Sequence, residues 1–200
     1  MKIAILNDTH AGIRNASDIF TDNANVFYNE FFSYLKNNDI KKIIHLGDVF
    51  DNRKFINYKS LHSFRKNFLS KLREYNIHMD VIPGNHDEES MMHMGDALEA
   101  LYETTEHITV DNSRPLMKGY KYGECLLIFD HGNRVKNYKN LASVISQRFR
   151  EVWSSVRHIE VHRGHLHSLK TSIMGQVEEL NGIAVRHLGS MSPTDQWHDD

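Results

Sequence analysis

Residues that can bind metal ions recur in short motifs along this chain of 200 residues. They supply carboxylate oxygen, amide oxygen or imidazole nitrogen, and they are Asp8, His10, Asp48, Asn85, His131, His165 and His167. Donors of this kind suit Mn²⁺, Fe or Zn²⁺ and differ from the thiolates of cysteine-based sites. Seven ligands are too many for one tetrahedral ion, but they suit two ions that share a carboxylate. The residue types therefore predict a binuclear metal site.

Predicted β-strands precede these residues and must position them. Apolar runs in KIAILND, KKIIHLGD, IHMDVIPGNHD, ECLLIFDHG and HIEVHRGHLH indicate the strands, and segments with helical periodicity separate several of them. In an open α/β sheet, the loops at the carboxyl ends of the strands converge on one edge. We therefore expect these residues to meet at that edge, within a single α/β domain over residues 1–200.

The segments between the strands predict helices and one tight turn. DNANVFYNEFFSYLKNND indicates an amphipathic helix whose buried face carries Val26, Phe27, Phe31 and Leu35. Further helices are predicted from Tyr58 to Tyr75, in MMHMGDALEALYET and in YKNLASVISQRFREVW. Asn181-Gly182 predicts a two-residue hairpin turn between two late strands.

Two other histidines lie inside predicted strands. His45 precedes Leu46 and Gly47 in an apolar strand, so we expect a hydrogen-bonded core histidine. His162 lies on the strand before GHLH, and we expect it to have a packing or surface role.

The composition fits a globular protein without a membrane segment. Hydrophobic residues make up 40% of the chain, and no stretch approaches the ~20 apolar residues that span a bilayer. The start MKIAILNDTH predicts a first strand rather than a secretory signal, and the single Cys125 excludes an internal disulfide. Both features predict a cytoplasmic protein. The net charge of −2 gives no overall nucleic-acid footprint, so any attraction to phosphate must be local.

Taken in order, DTH, GDVFD, GNHD, HG and GHLH resemble the five signature motifs of the calcineurin-like metallophosphoesterases. The resemblance covers essentially the whole chain and implies an α/β fold of two mixed β-sheets sandwiched by helices, in four layers α-β-β-α. By motif correspondence, one metal ion would be bound by Asp8, His10 and His167, and the other by Asn85, His131 and His165. Asp48 would bridge both ions. The expected metal is Mn²⁺, with Fe or Zn²⁺ as alternatives.

Three more residues are implied in catalysis. His86 of GNHD matches the histidine of the family that contacts the scissile phosphate and acts as a general acid without binding metal. Asp51 matches the last carboxylate of a GDxxD motif, which fixes the loop or supports a ligand. Arg53 would draw phosphate towards the metals. The implied reaction is in-line attack on phosphorus by a hydroxide that bridges the two ions.

The expected substrate is DNA. The part of the chain up to GNHD is most similar to nucleases of the Mre11 and SbcD type, including phage versions. A basic run from Arg53 to Arg73 has no acidic residue and is interleaved with aromatic residues, as in surfaces that guide a polyanionic strand. The resemblance also suggests an ATPase partner of the Rad50/SbcC type, and the host cytoplasm as the location if a phage encodes the protein. Because the motifs occupy most of these 200 residues, we expect no capping domain of the kind that follows the nuclease domain in those proteins.

Two alternatives stay open. The second half resembles small stand-alone phosphoesterases of phages and bacteria, which favours small phosphodiesters or phosphomonoesters, nucleotides and phosphoproteins included. In that case the basic run is an ordinary solvated helix face whose phenylalanines are core. The less favoured alternative is a protein-binding scaffold, although a scaffold has no reason to retain the complete ligand set and His86.

Overall fold

The computed structural model describes residues 2–88, 106–110, 117–134, 140–165 and 177–191. The strands in these ranges are β1 (Ala4–Leu6), β2 (Lys42–His45), β3 (His78–Val81), β4 (Ile108–Val110), β5 (Met117–Tyr122), β6 (Cys125–Asp130), β7 (His158–Arg163), β8 (Val177–Leu180) and β9 (Ile183–His187). The helices are α1 (Ile13–Ala16), α2 (Asp18–Asn37), α3 (Tyr58–Phe64), α4 (Ser70–Glu74), α5 (Asn85–Glu88), α6 (Leu141–Arg148) and α7 (Arg150–Trp153). A π-helical segment, Arg65–Leu69, joins α3 to α4.

The first sheet is parallel and has the strand order β1-β2-β3-β4. Strand β2 buries apolar residues on both of its faces, because both faces are covered. In β2, the neighbouring residues Ile43 and Ile44 point to opposite faces, and both are fully buried. The parallel arrangement places the carboxyl ends of β1, β2 and β3 side by side, as predicted from the motifs.

The second sheet is mixed and has the order β5-β6-β7-β9-β8. Its central strands β6, β7 and β9 are parallel, whereas β5 and β8 pair with them antiparallel at the edges. The predicted hairpin turn at Asn181-Gly182 is confirmed, because both residues have positive φ (51° and 79°) between β8 and β9. A type I′ turn requires this conformation, which asparagine and glycine adopt readily.

Three hydrophobic clusters separate four layers. Helices α2, α3 and α4 pack on one face of the first sheet, and α6 packs on the far face of the second. Between the sheets lies a smaller cluster of Ile44, Leu46, Ile82 and Phe129. This arrangement confirms the predicted α/β fold with four layers α-β-β-α. None of the helices in the described ranges is long and apolar enough to cross a membrane.

The predicted buried face of α2 was partly wrong. Leu35 is fully buried, but Val26 is 58% exposed and Phe27 is 38% exposed. Tyr28 and Phe32 fill the core instead, at positions i and i+4 before Leu35. The buried face of α2 differs from the predicted one because Tyr28 belongs to the core. Its ring packs against Phe64 and Phe68, as the ring of a phenylalanine would.

The other helix predictions have mixed outcomes. The helix from Tyr58 to Tyr75 is confirmed as α3, the π-helical segment and α4. The late helix is confirmed but is interrupted at Phe149, which lies between α6 and α7. The predicted helix MMHMGDALEALYET lies outside the described residues.

Asp80 links the two sheets through charge. Its carboxylate on β3 lies 2.7 Å from Lys42 Nζ of β2 and 3.2 Å from Lys118 Nζ of β5, and it accepts a hydrogen bond from Tyr120 of β5. Burial favours the neutral acid, but these three partners outweigh it and lower the pKa of Asp80 to about 2. The ionised form therefore stabilises the fold, because the pKa of the unfolded chain is higher.

We expect Asp80→Asn to lower the free energy of unfolding at pH 7 by about 1–2 kcal/mol. The pKa is depressed in the fold, so the difference from the wild type should shrink as the pH falls from about 4 towards 2. Urea unfolding at several pH values across this range measures this difference in the free energy of unfolding. Asp39→Asn is the matched control, because the Asp39 side chain is 90% exposed and should contribute little at any pH. An Asp80 difference that is constant with pH would contradict this account.

Candidate metal centre

The strand-exit loops hold their polar residues in an uncommon backbone conformation. Asp8, His10, Asp48 and His165 all have positive φ, between 40° and 71°. This left-handed region costs a residue other than glycine free energy, on the order of 1–3 kcal/mol, and such strain concentrates at functional sites. The strained residues are four of the predicted ligands, so the turns that end β1, β2 and β7 direct side chains into one cluster.

Asp48 lies at the centre of this cluster and is 1% exposed. Its carboxylate Oδ2 lies 3.2 Å from His131 Nε2 and 3.7 Å from His10 Nε2, and Oδ1 accepts a hydrogen bond from the backbone N–H of His86 (2.8 Å). Burial favours the neutral acid, but His131, His10 and His86 outweigh it and hold the pKa of Asp48 below its usual range. The carboxylate is therefore ionised and surrounded by imidazole groups.

The two carboxylate oxygens of Asp8 differ in their hydrogen bonding. Oδ2 accepts hydrogen bonds from Asn7 Nδ2 (2.6 Å) and from the backbone N–H of His165 (2.9 Å). Oδ1 is buried and has no hydrogen-bond partner among the described residues, and His131 Nδ1 lies 3.6 Å from it. Burial raises the pKa of Asp8. A buried carboxylate oxygen without a donor is costly, and a bound cation would satisfy it.

The orientation of His131 suits a metal ligand. Nδ1 donates to the carbonyl oxygen of Leu46 (2.9 Å), which leaves Nε2 directed at Asp48 and at Asn85 Oδ1 (2.9 Å). Metal-binding histidines commonly donate their second N–H to a carbonyl in this way. Burial opposes protonation, but Asp48 and Asp8 outweigh it and raise the pKa of His131 to about 9. Without metal, a proton therefore occupies the nitrogen that a cation would take.

Two groups of side chains have ligand atoms close enough to hold a cation, with all atoms within 4.8 Å of one another. One consists of His10, Asp48 and His86, and the other consists of Asp48, His131 and His165. Asp48 belongs to both groups. The donor set of carboxylate and imidazole fits Mn²⁺, Fe or Zn²⁺, so the residues present fit a dimetal site. His167, which was expected to complete the first group, lies outside the described residues.

His86 belongs to one of the two potential ligand groups, although it was expected to act without binding metal. Nδ1 donates a short hydrogen bond to the backbone carbonyl of Asp51, and its ring meets the His10 ring edge-on at 4.8 Å between centroids. The Asp51 side chain approaches His10 Nδ1 at 3.6 Å, so Asp51 contacts the cluster through both backbone and side chain. Arg53 is exposed on the loop two residues further on. The catalytic roles of these three residues stay predictions.

Asp87, for which the motifs predicted no role, joins two of the loops. Its buried carboxylate accepts backbone hydrogen bonds from Asp48 (2.7 Å), Gly84 (2.9 Å) and Val49 (3.2 Å). Burial and the nearby Asp48 raise the pKa of Asp87 to about 7 in spite of these bonds. The two loops lie so close that a Cβ on Gly84 would overlap Asp48 Oδ1. The sequence signal was an acidic side chain closing a short turn, where backbone N–H groups need acceptors.

A second clamp fixes the loop that carries His131. Arg163 on β7 is 1% exposed and makes a bidentate ion pair with Asp130 (2.8 and 3.1 Å). Its guanidinium also donates to the carbonyl oxygen of Gly132 (3.0 Å). A paired arginine at this depth holds the residues on either side of His131 in place, because breaking a buried pair is strongly destabilising.

The two histidines predicted to be structural are confirmed in those roles. His45 is fully buried; Nδ1 accepts from the Gly47 N–H (3.1 Å), and Nε2 lies 3.2 Å from Thr9 Oγ1. Burial lowers its pKa to about 3, so the ring is neutral. His162 stacks on Phe129 (5.1 Å between centroids), and Nε2 contacts Glu160 Oε1 at 2.9 Å.

Comparison with known proteins identifies the family. A model for calcineurin-like phosphoesterases matches residues 1–198, so the chain belongs to the calcineurin-like phosphoesterase family. Family membership makes it a hydrolase of phosphoester bonds with a dimetal centre. No curated protein matches the sequence significantly.

Solved structures with a similar fold have low sequence identity to this chain. A dimetal phosphatase from Danio rerio superimposes with a TM-score of 0.51 and 8% identity, over 94% of this chain and 87% of that one. The Pseudomonas putida nuclease MPE has a TM-score of 0.46 and 18% identity, over 97% and 81% of the two chains. GAP50, the anchor in the inner membrane complex of Plasmodium, has a TM-score of 0.44 and 12% identity, over 94% and 70%. At these identities the similarity concerns the fold alone.

We expect Asp8→Asn to separate metal binding from folding. With a chelator present, the variant should be at least as stable as the wild type, because the amide avoids burying a charge. Adding saturating Mn²⁺ should raise the Tm of the wild type, because a ligand at 100 times its Kd adds about 3 kcal/mol to the free energy of unfolding. The Tm of the variant should rise much less. Thermal unfolding measures both effects, and Asp22→Asn on the exposed surface of α2 is the control. An equal metal-induced rise in Asp8→Asn would show that Asp8 is not a ligand.

Proposed function

We propose that this protein is a Mn²⁺-dependent phosphodiesterase that cleaves DNA, with Asp8, His10, Asp48, Asn85, His131, His165 and His167 as metal ligands. The observation that carries the proposal is that Asp48 belongs to both groups of potential ligands. Two cations bound there would neutralise phosphate oxygens and lower the pKa of a bound water. The side chains of this protein would fix the geometry of the site, orient the phosphate and transfer protons.

His86 is the proposed proton donor to the leaving oxygen. Its Nδ1 is engaged by the Asp51 carbonyl, so proton exchange with a substrate would take place at Nε2. A protonated ring can donate to the departing alkoxide, which typically contributes 10²–10⁴-fold to the rate. The Asp51 carbonyl is therefore the group that orients this ring.

The surface that follows Asp51 supports nucleic acid as the substrate. Arg53 and Lys54 are exposed, Phe55 is 56% exposed and Tyr58 is 88% exposed. Exposed aromatic rings beside cationic side chains are the combination that binds single strands, by stacking and phosphate contact. These four exposed residues, Arg53, Lys54, Phe55 and Tyr58, are together called the basic aromatic loop below.

The remainder of the basic run contributes less than the sequence suggests. Phe64 and Phe68 are core residues that stack on each other at 4.8 Å between centroids. Lys59 pairs with Asp18, and Lys71 pairs with Glu74 (3.0 Å). Nucleic-acid binding is therefore proposed for the basic aromatic loop rather than for the whole run.

The test compares substrates and variants in Mn²⁺. Purified protein is offered single-stranded DNA, duplex DNA, bis-p-nitrophenyl phosphate and p-nitrophenyl phosphate. We expect cleavage of DNA, a fall in kcat of about 10²–10⁴-fold in His86→Ala, and a DNA KM at least about tenfold higher in Lys54→Ala/Tyr58→Ala. That double variant should hydrolyse bis-p-nitrophenyl phosphate normally.

The matched control is Arg150→Ala/Tyr34→Ala, which removes one exposed cation and one exposed ring elsewhere on the surface. It should leave the DNA KM unchanged. Hydrolysis of the small esters without DNA cleavage would support the alternative, a phosphoesterase of small substrates, and would overturn the nuclease proposal.

A further inference from the structure

A chamber of about 580 Å³ opens beside the metal centre. It is called the Phe20 chamber here, and its walls are the loop from Thr9 to Ile13, helices α2 and α3, and residues 190–191. Its main apolar lining residues are Phe20, Ala24, Phe27, Tyr28, Phe64 and Met191. His10 belongs both to this wall and to one of the potential ligand groups, so the chamber and the metal centre share a side.

The lining is uncharged apart from His10. No aspartate, glutamate, lysine or arginine belongs to the wall that the described residues form. The polar side chains are hydroxyl and amide groups, among them Thr21, Asn25, Ser60 and Ser63. Charged occupants are therefore disfavoured, whereas a neutral ring with polar edges fits such a wall.

Ser60 provides a second, independent observation. It is 4% exposed, and its hydroxyl has no hydrogen-bond partner among the described residues. Other hydroxyls of the wall are engaged: Thr21 donates to the Ser17 carbonyl (2.9 Å), and Ser63 donates to Asn25 Oδ1 (3.2 Å). A buried hydroxyl without a partner is costly; because Oγ has almost no accessible surface, the Ser60 side chain must rotate towards the chamber before the donor or acceptor of a ligand can satisfy it.

Gly12 brings the loop onto Ser60. Its φ is +100°, and a Cβ there would lie 2.7 Å from Ser60 Oγ. Only glycine adopts this conformation and allows this approach without displacing α3. The loop that carries His10 is therefore packed directly against the wall that carries the Ser60 hydroxyl.

We propose that the Phe20 chamber binds one nucleobase of the substrate whose phosphate lies at the metal centre; this rests on the proposed function and specifies its substrate. Phe20 and Phe27 offer accessible ring surface to the chamber, and bases stack on aromatic side chains. An acyl chain would leave the Ser60 hydroxyl unsatisfied, whereas the edge of a base offers donors and acceptors. The volume lies within the 300–1,000 Å³ typical of small-molecule sites.

The experiment measures binding of thymidine and adenosine to the full chain by saturation-transfer NMR and calorimetry, with EDTA present. Nucleosides carry no phosphate, so their binding does not depend on metal or on turnover. We expect a Kd on the order of 0.1–1 mM for the wild type.

Two variants and a control test the location. Ala24→Phe places a ring inside the chamber and should weaken binding at least tenfold, whereas Val26→Phe, on the exposed side of α2, should bind like the wild type. Ser60→Ala should weaken binding several-fold while the protein unfolds at the same or higher urea concentration, because an unsatisfied hydroxyl is removed. If Ser60 had only a structural role, Ser60→Ala would instead lower the stability of the fold and leave nucleoside binding unchanged.

The outcomes separate the two proposals. DNA cleavage without nucleoside binding, or binding that Ala24→Phe and Ser60→Ala leave unchanged, overturns the base site and leaves the nuclease proposal standing. Nucleoside binding that is lost in Ala24→Phe, together with absence of DNA cleavage, supports the base site and overturns the nuclease proposal.

Discussion

An ionised carboxylate in a protein interior is stable only when positive charge or hydrogen bonds surround it, and Asp48 is buried in this way at the end of β2. The charge of Asp48 is balanced by His10, His131 and the backbone N–H of His86. These partners come from three separate segments of the chain, so the fold must bring three loops to one carboxylate. The same arrangement makes Asp48 a member of both potential ligand groups.

The surrounding structure holds these loops in backbone conformations that are unfavourable by themselves. Four of the predicted ligands are in left-handed backbone conformations, and the Asp87 carboxylate fixes two of the loops through backbone N–H groups. On the other sheet, the buried Arg163–Asp130 pair flanks His131. Preorganisation of this kind keeps charged groups in place before a phosphate arrives, which is how such sites stabilise a transition state without rearranging.

Much of the fold and of the candidate site could be predicted from the sequence, because strand periodicity and motif order together indicate which residues follow which strand. The fold class, the hairpin at Asn181-Gly182 and the core role of His45 follow from such local patterns. For Asp87 the local pattern indicates only an acidic side chain that closes a turn; its contact with the second loop depends on how closely the GD and GNHD loops approach in space. The buried face of α2 depends on which rings the neighbouring helix offers to Tyr28 and Phe32. The Phe20 chamber likewise arises from packing between helices that are distant in sequence.

The central proposal is that Asp48 would serve as a ligand to both cations. Electron paramagnetic resonance of the Mn²⁺-loaded protein tests it directly, because two ions bridged by one carboxylate are exchange-coupled. We expect two bound Mn²⁺ ions per chain with the spectrum of a coupled pair, and a loss of that coupling in Asp48→Asn. One bound ion per chain, or two ions whose spectra are those of isolated Mn²⁺ in the wild type, would contradict it.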